Sequence, residues 1–446
     1  MIDWELVATL PRDRFSPGES VNPTVRVRYT GAGRTDRPNI AGGDVSISLR
    51  RPDGSVEDLT TPPPELPARR SQPFLPSGAA YEQRLDLGAL TELSMGSYEA
   101  VFGLVFAPAA RSAPLRFTIE PVDLVSASCV PTSARAEGER AVVRVERTSG
   151  GAQLMLTYEL PRARVTRSLG DVPPGARPFL AVAPEGSVGP RPWVLLQDGA
   201  QLRAMFVHFA GVERLDPVAV EGTLVAACDG EARGVAPDDE PWPVLHALLV
   251  APPALVGATI APRSAAPVFE RQKLPSAPRG AALVPIAPDA RLAVVVLDED
   301  DSWACFAHPW RAKLGEPRLV LRGKGRFIAV DAAADEGRAL VAVLFEDEEG
   351  LAVAPAEVEA SGEATPLPVA RASGLEAARL RVTAGGRFVI LGTLDGKPAL
   401  LEPGDERPRR PSVAGRFWDV ELGPGRTDAV SIDPDRGVVV SEVPEA

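Results

Sequence analysis

The stretch LDEDDSWACF, residues 297–306, sets four acidic side chains in a row ahead of a tryptophan, a cysteine and a phenylalanine. Carboxylates this dense can hold a divalent cation, share acid and base roles, or solvate a turn. The calcium-loop spacing fails. Such a loop needs glycine at its sixth position and a carboxylate at its twelfth, and counted from Asp298 these are Trp303 and Pro309. A second acidic run, EDEEG, follows at 346–350. His208, His246 and His308 share no short spacing, and the chain has neither a C-x-x-C nor an H-x-x-x-H pair, so no zinc centre is expected. A nucleophile elbow, a Walker loop and a strand-linked dinucleotide fingerprint are missing as well. The basic, glycine-bearing RGKGRF at 322–327 precedes a strand and not a helix. No cofactor, metal or catalytic residue is therefore assigned.

The whole chain carries a formal charge of −12 over 446 residues, which argues against nucleic acid or an anionic membrane as partner. Its one basic cluster, RPRRP at 407–411, is broken by proline and reads as a solvated loop. The opening MIDWELVATLPRDRF lacks the pattern of a secretory signal, and no run of eighteen apolar residues occurs. Cys129, Cys228 and Cys305 are far apart and odd in number, as suits reduced thiols. These features set the expectation of a soluble, cytoplasmic protein. The abundance of Ala, Arg, Pro and Gly points to a bacterial source.

The elements that must position these residues are strands. Glycine (40) and proline (46) are frequent without a collagen period, the signature of many short strands joined by turns. Residues 1–120 hold WELVATL, TVRVRYTG, DVSISLRRPDGSVEDLT, YEQRLDLG, GSYEAVFGLVF and APLRFTIEP. Val25, Val27 and Tyr29 alternate with Arg26 and Arg28, and Asp53-Gly54 supplies a hairpin turn. MGSYEAVF followed by APLRFTIEP resembles the last hairpin of an immunoglobulin-like β-sandwich, although the Cys…Trp…Cys pin of antibody domains is missing. The proline-rich 60–78 reads as a surface loop, with a polyproline ligand as the alternative.

From residue 121 to 446 one pattern recurs: a turn, an apolar strand, a polar turn and a second apolar strand. Copies begin at Arg140, Arg191, Glu240, Arg291, Arg338, Arg387 and Arg426, the clearest being 47 and 49 residues apart. The copy at 240 lacks a polar turn. Candidate first strands precede four of them: AALVPIA, RFIAVDA, ARLRVTA and FWDVELG. Units of this size with four short strands resemble the blades of a β-propeller of about seven blades, without WD, Gly-His or kelch signatures. Residues 122–130 are expected to complete the last sheet and close the ring.

The expected fold is thus all-β, an Ig-like sandwich over 1–120 and a propeller over 121–446. In this register both acidic runs are turns between second and third strands. Two adjacent blades would gather Asp298, Glu299, Asp300 and Asp301 with Glu346, Asp347, Glu348 and Glu349 into a patch for a protein partner with a basic surface, with Trp303 nearby, although a core or inter-blade place is the favoured reading of that tryptophan. The expected function is a non-catalytic binding or scaffold module of a larger bacterial assembly. The alternative is a propeller hydrolase, lactonase- or glycosidase-like, with its site at the central channel, where the candidate first strands offer mainly Asp331.

Overall fold

A computed structural model describes residues 3–444 except 62–73, 132–139, 149–150, 161–162, 174, 182–192, 209–210, 233–241, 262–266, 288, 300, 312, 336, 373, 384–386, 404, 406, 414–417 and 424–425. The proline-rich stretch, for which a polyproline ligand was weighed, falls mostly outside these described residues. Among them the chain is all-β, with no helix. It divides into two compact units, one of residues 1–123 with 165–167 and 433–437, the other of 124–164, 168–432 and 438–446.

In the first unit, strands Trp4–Thr9, Thr24–Tyr29 and Ala80–Arg84 form one sheet. A second sheet runs in the order Arg14–Phe15, Leu115–Ile119, Gly96–Leu104, Val45–Arg50, Val56–Thr60. Alternation decides the faces: Val25 and Val27 are buried while Arg26 and Arg28 are exposed. The inward residues of both sheets share one core, including Trp4, Val25, Ile47, Tyr98 and Phe117.

In the second unit seven antiparallel sheets follow one another among the described residues, each built of consecutive strands. All seven hairpins expected from the sequence are the second and third strands of a sheet, as in Ala290–Glu299 with Ser302–Trp310 and Arg338–Asp347 with Gly350–Glu359. The copy that lacks a polar turn bends through Pro252-Pro253, joined by a cis peptide bond. First strands border one another from Leu124–Pro131, Arg177–Ala181 and Thr223–Ala232 to Pro278–Ala287, Arg326–Asp335 and Glu376–Thr383. The seventh, Trp418–Gly423, lies beside Leu124–Pro131. This is the plan of a β-propeller, in which neighbouring sheets cover each other's apolar faces.

One expectation is corrected. Residues 124–131 do not complete the seventh sheet; they open the first, pairing with Arg140–Thr148. Strands consecutive in sequence pair at the smallest loop-closure cost, and every sheet of this unit is built that way. The sixth and seventh sheets have three strands each among the described residues.

Candidate functional site

The turns between second and third strands hold the connections that enter the next sheet. Val220 donates its amide to the Ala200 carbonyl (2.8 Å), Leu274 to Pro253 (2.7 Å) and Gly325 to Asp301 (3.0 Å). Turns and connections therefore share one end of the repeat, where loops are free to carry recognition.

At this end, between the fourth and fifth sheets, lies a groove of about 530 Å³ lined by Arg279, Asp298, Asp301, Gly325, Arg326 and Phe327. Gly325 has φ +102°, and a side chain there would collide with the Glu346 carbonyl, so only glycine lets the chain enter so close to the turn. Gly350, at φ +107°, begins the third strand after the Glu348-Glu349 turn. The Asp347 carboxylate accepts the Glu349 amide at 3.0 Å and so stiffens that turn.

The acidic run is not a bare patch of like charge. Arg279 pairs with Asp298, and Arg326 reaches Glu346 through Nε at 3.1 Å. Arg371 bridges Asp347 (2.5 Å) and Glu349 (3.1 Å), and its hydrogen bond holds the Asp347 carboxyl below the usual range. Asp301 and Glu348 are exposed and carry no arginine partner. Four of the described carboxylates thus pair with three guanidinium groups, and the cations Arg322 and Lys324 stand on the strand beside the 298–302 turn. The Glu299 side chain and Asp300 lie outside the described residues. Trp303 does not join the surface: it is 0% exposed, 5.2 Å from the Phe345 ring, and Gly323 makes room for its indole. Strand alternation turns it inward, into the seam between two sheets, the place that its residue type favours over the patch.

On the inner strands the structure adds two residues to Asp331 that sequence reasoning missed. Arg381 of the sixth sheet donates from Nε to both Asp419 oxygens, at 2.8 and 3.1 Å, and Asp419 is 1% exposed. Asp331 of the fifth sheet lies 4.0 Å from Arg381 and accepts the amides of Val382 (2.9 Å) and Ala332 (3.0 Å). Burial pushes the Asp331 carboxyl above its ordinary range, while Arg381 and the two amides pull it back. The two-residue spacing along ARLRV could have marked Arg379 and Arg381 as one face, but nothing local links Arg381 to Asp419, 38 residues on. The arrangement fastens three inner strands together and occupies the carboxylates that acid–base chemistry would use.

His246 and His308 sit in the seam between the third and fourth sheets, at 4% and 1% exposure. Their Nδ1 atoms face Thr259 Oγ1 (3.1 Å) and Gln272 Oε1 (2.8 Å), and neither Nε2 has a partner. Burial, with Arg291 adding to it, brings His246 down to about 3, and burial also lowers His308. The His208 side chain lies outside the described residues. Among those described, no three His, Cys, Asp or Glu side chains converge as a metal site requires.

No protein-family model matches the chain, and no curated protein matches it. Solved structures with a similar fold include the Aleuria aurantia lectin, described as a six-bladed β-propeller with a fucose recognition mode (10% identity, TM-score 0.41, 72% of this chain and 97% of that one). Another is the Pyrococcus horikoshii acylaminoacyl peptidase (13% identity, TM-score 0.43, 71% of this chain and 51% of that one). A third is an ulvan lyase of a polysaccharide lyase family (8% identity, TM-score 0.37, 69% and 87%). At such identities and scores these likenesses carry no argument about activity, and the architecture rests on the strand pairing itself.

Proposed function

We propose that this chain is a non-catalytic binding module: an Ig-like sandwich joined to a seven-bladed propeller, which engages the basic surface of a protein partner in a bacterial cytoplasm. Two features support the sandwich reading. Arg14–Phe15 runs parallel to Leu115–Ile119, in the manner of an Ig first strand that switches sheets, and Tyr98 donates its hydroxyl to the Ser94 carbonyl at 2.8 Å, as a tyrosine corner does. Seven successive sheets support the blade count.

The observation that carries the functional reading is the pair of exposed carboxylates, Asp301 and Glu348, that have no arginine partner among the described residues at this end of the sheets. Exposed charge of this kind steers a basic partner and weakens as salt rises. The hydrolase alternative needs a carboxylate free to react at the inner strands, and the engagement of Asp331 and Asp419 favours binding over that chemistry.

The test is capture of the tagged protein from its source at low and high salt, in parallel with Asp301→Arg/Glu348→Arg. A stoichiometric protein should be held at low salt, released at high salt and lost in the double variant, while the urea midpoint moves by no more than about 0.5 kcal/mol equivalent. Equal capture by the double variant would overturn the assignment of this face. Hydrolysis of a lactone or glycoside by the purified protein, abolished by Asp331→Asn, would overturn the binding reading itself.

A further inference from the structure

The outer face of the larger sandwich sheet carries a set of cations that the proposed propeller face does not use. Strand register writes them in two rows. Arg14, Thr118 and Ser97 stand side by side on three adjacent strands, and Arg116, Glu99 and Arg50 form the next row. These rows line a groove of about 390 Å³.

Cross-strand ion pairing on a wet sheet face explains part of this set. Arg14 meets Glu120 at 2.9 Å, and Arg116 meets Glu99 at 2.9 Å through Nε alone, which leaves its two terminal nitrogens uncommitted on a side chain that is 80% exposed. Arg51 is held by Glu57 (2.6 Å), Thr91 (2.6 Å) and the Glu92 carbonyl (3.2 Å), so it anchors the rim. Arg50 is exposed and pairs with no carboxylate. Between the arginines the Ser97 and Thr118 hydroxyls lie 3.2 Å apart. The same groove is lined by the carboxylates Asp13, Glu99 and Glu120, so its four arginines leave one positive charge in excess.

We propose that this groove is a binding site for a tetrahedral oxyanion of the phosphate class, held by Arg50, Arg116 and Arg14 over the Ser97 and Thr118 hydroxyls. Guanidinium forks donate two parallel hydrogen bonds to such a group, and hydroxyls complete its shell. The oxyanion is either free phosphate or the phosphate of a modified partner side chain.

Equilibrium dialysis of the full chain against radiolabelled inorganic phosphate, with chloride held constant, tests it. A phosphoserine peptide and its unmodified form make the second arm. One equivalent of phosphate or phosphopeptide should be retained, with affinity reduced about tenfold in Arg50→Gln and in Arg116→Gln. Arg338→Gln, which lies in neither groove and pairs with Glu357, should bind as the parent does, and far-ultraviolet circular dichroism checks that each variant is folded. Equal retention of phosphate and phosphopeptide identifies the free ion; much tighter retention of the phosphopeptide identifies a partner side chain. Retention of neither, or retention unchanged in both arginine variants, would overturn the site.

Discussion

The two faces of the fourth propeller sheet are built from the same hairpin and differ in kind. Leu292, Val294, Val296, Trp303, Cys305 and Ala307 face the fifth sheet in a seam of apolar side chains, in which the Trp303 indole N–H is buried without a partner among the described residues. The opposite face packs Ala293, Val295, Leu297 and Trp310 against the third sheet, and the same seam takes in Arg291, His246 and His308, with Trp310 edge-on to His246 at 5.3 Å. Both faces are buried, so alternation alone decides which apolar residue goes where. One sheet thus carries a seam that holds two buried imidazoles beside one whose hydrophobic cluster includes neither.

The largest effect is expected from breaking the apolar seam. Trp303→Ala removes a fully buried indole from a site shaped by Gly323 and Phe345, and should cost about 3–5 kcal/mol in urea unfolding. A loss below 1 kcal/mol would mean that the seam closes over the gap and is less closely packed than described.

The polar seam should answer to acid. The pKa of His246 lies at about 3 in the folded chain, below the unfolded value near 6.5, so the unfolded state binds the extra proton. The stabilisation is fully present above pH 6.5 and is lost as pH falls toward 3. Between pH 6.5 and 5 this amounts to about 2 kcal/mol, and His308 acts in the same direction. Urea titrations across that window should show the slope in the parent and a flatter one in His246→Leu; the same slope in both would separate the histidine from the acid response.

The smallest effect concerns the two buried cysteines among the described residues, one in each seam. Cys228 belongs to the polar seam and Cys305 to the apolar one, where burial pushes its thiol well up. A pyridyl disulfide at pH 5 should label Cys228 several-fold faster than Cys305, because local opening begins where buried imidazoles take up protons. Equal rates at pH 5 would mean that the seams open together.

Much of this architecture was legible in the chain. Short-range periodicity and turn chemistry marked the strands and all seven hairpins, because a side chain's face in a strand depends on its neighbours two residues away. The acidic runs were placed correctly as turns by their repeated position. Their pairing with Arg279, Arg326 and Arg371 was not legible, since each arginine comes from another strand of the same sheet, 19 to 24 residues away in sequence. Trp303 could be placed near the acidic patch or, as its residue type favours, between sheets, and alternation puts it between sheets.

By itself, then, the sequence determined strand content, hairpin register and the identity of the residues that turn the chain, all consequences of local sterics and a two-residue period. Only the tertiary structure decided which sheet residues 124–131 join, that Arg381 finds Asp419, and that two distant histidines share one seam. Those outcomes depend on which sheets become neighbours when the whole repeat packs, and no local pattern encodes that contact.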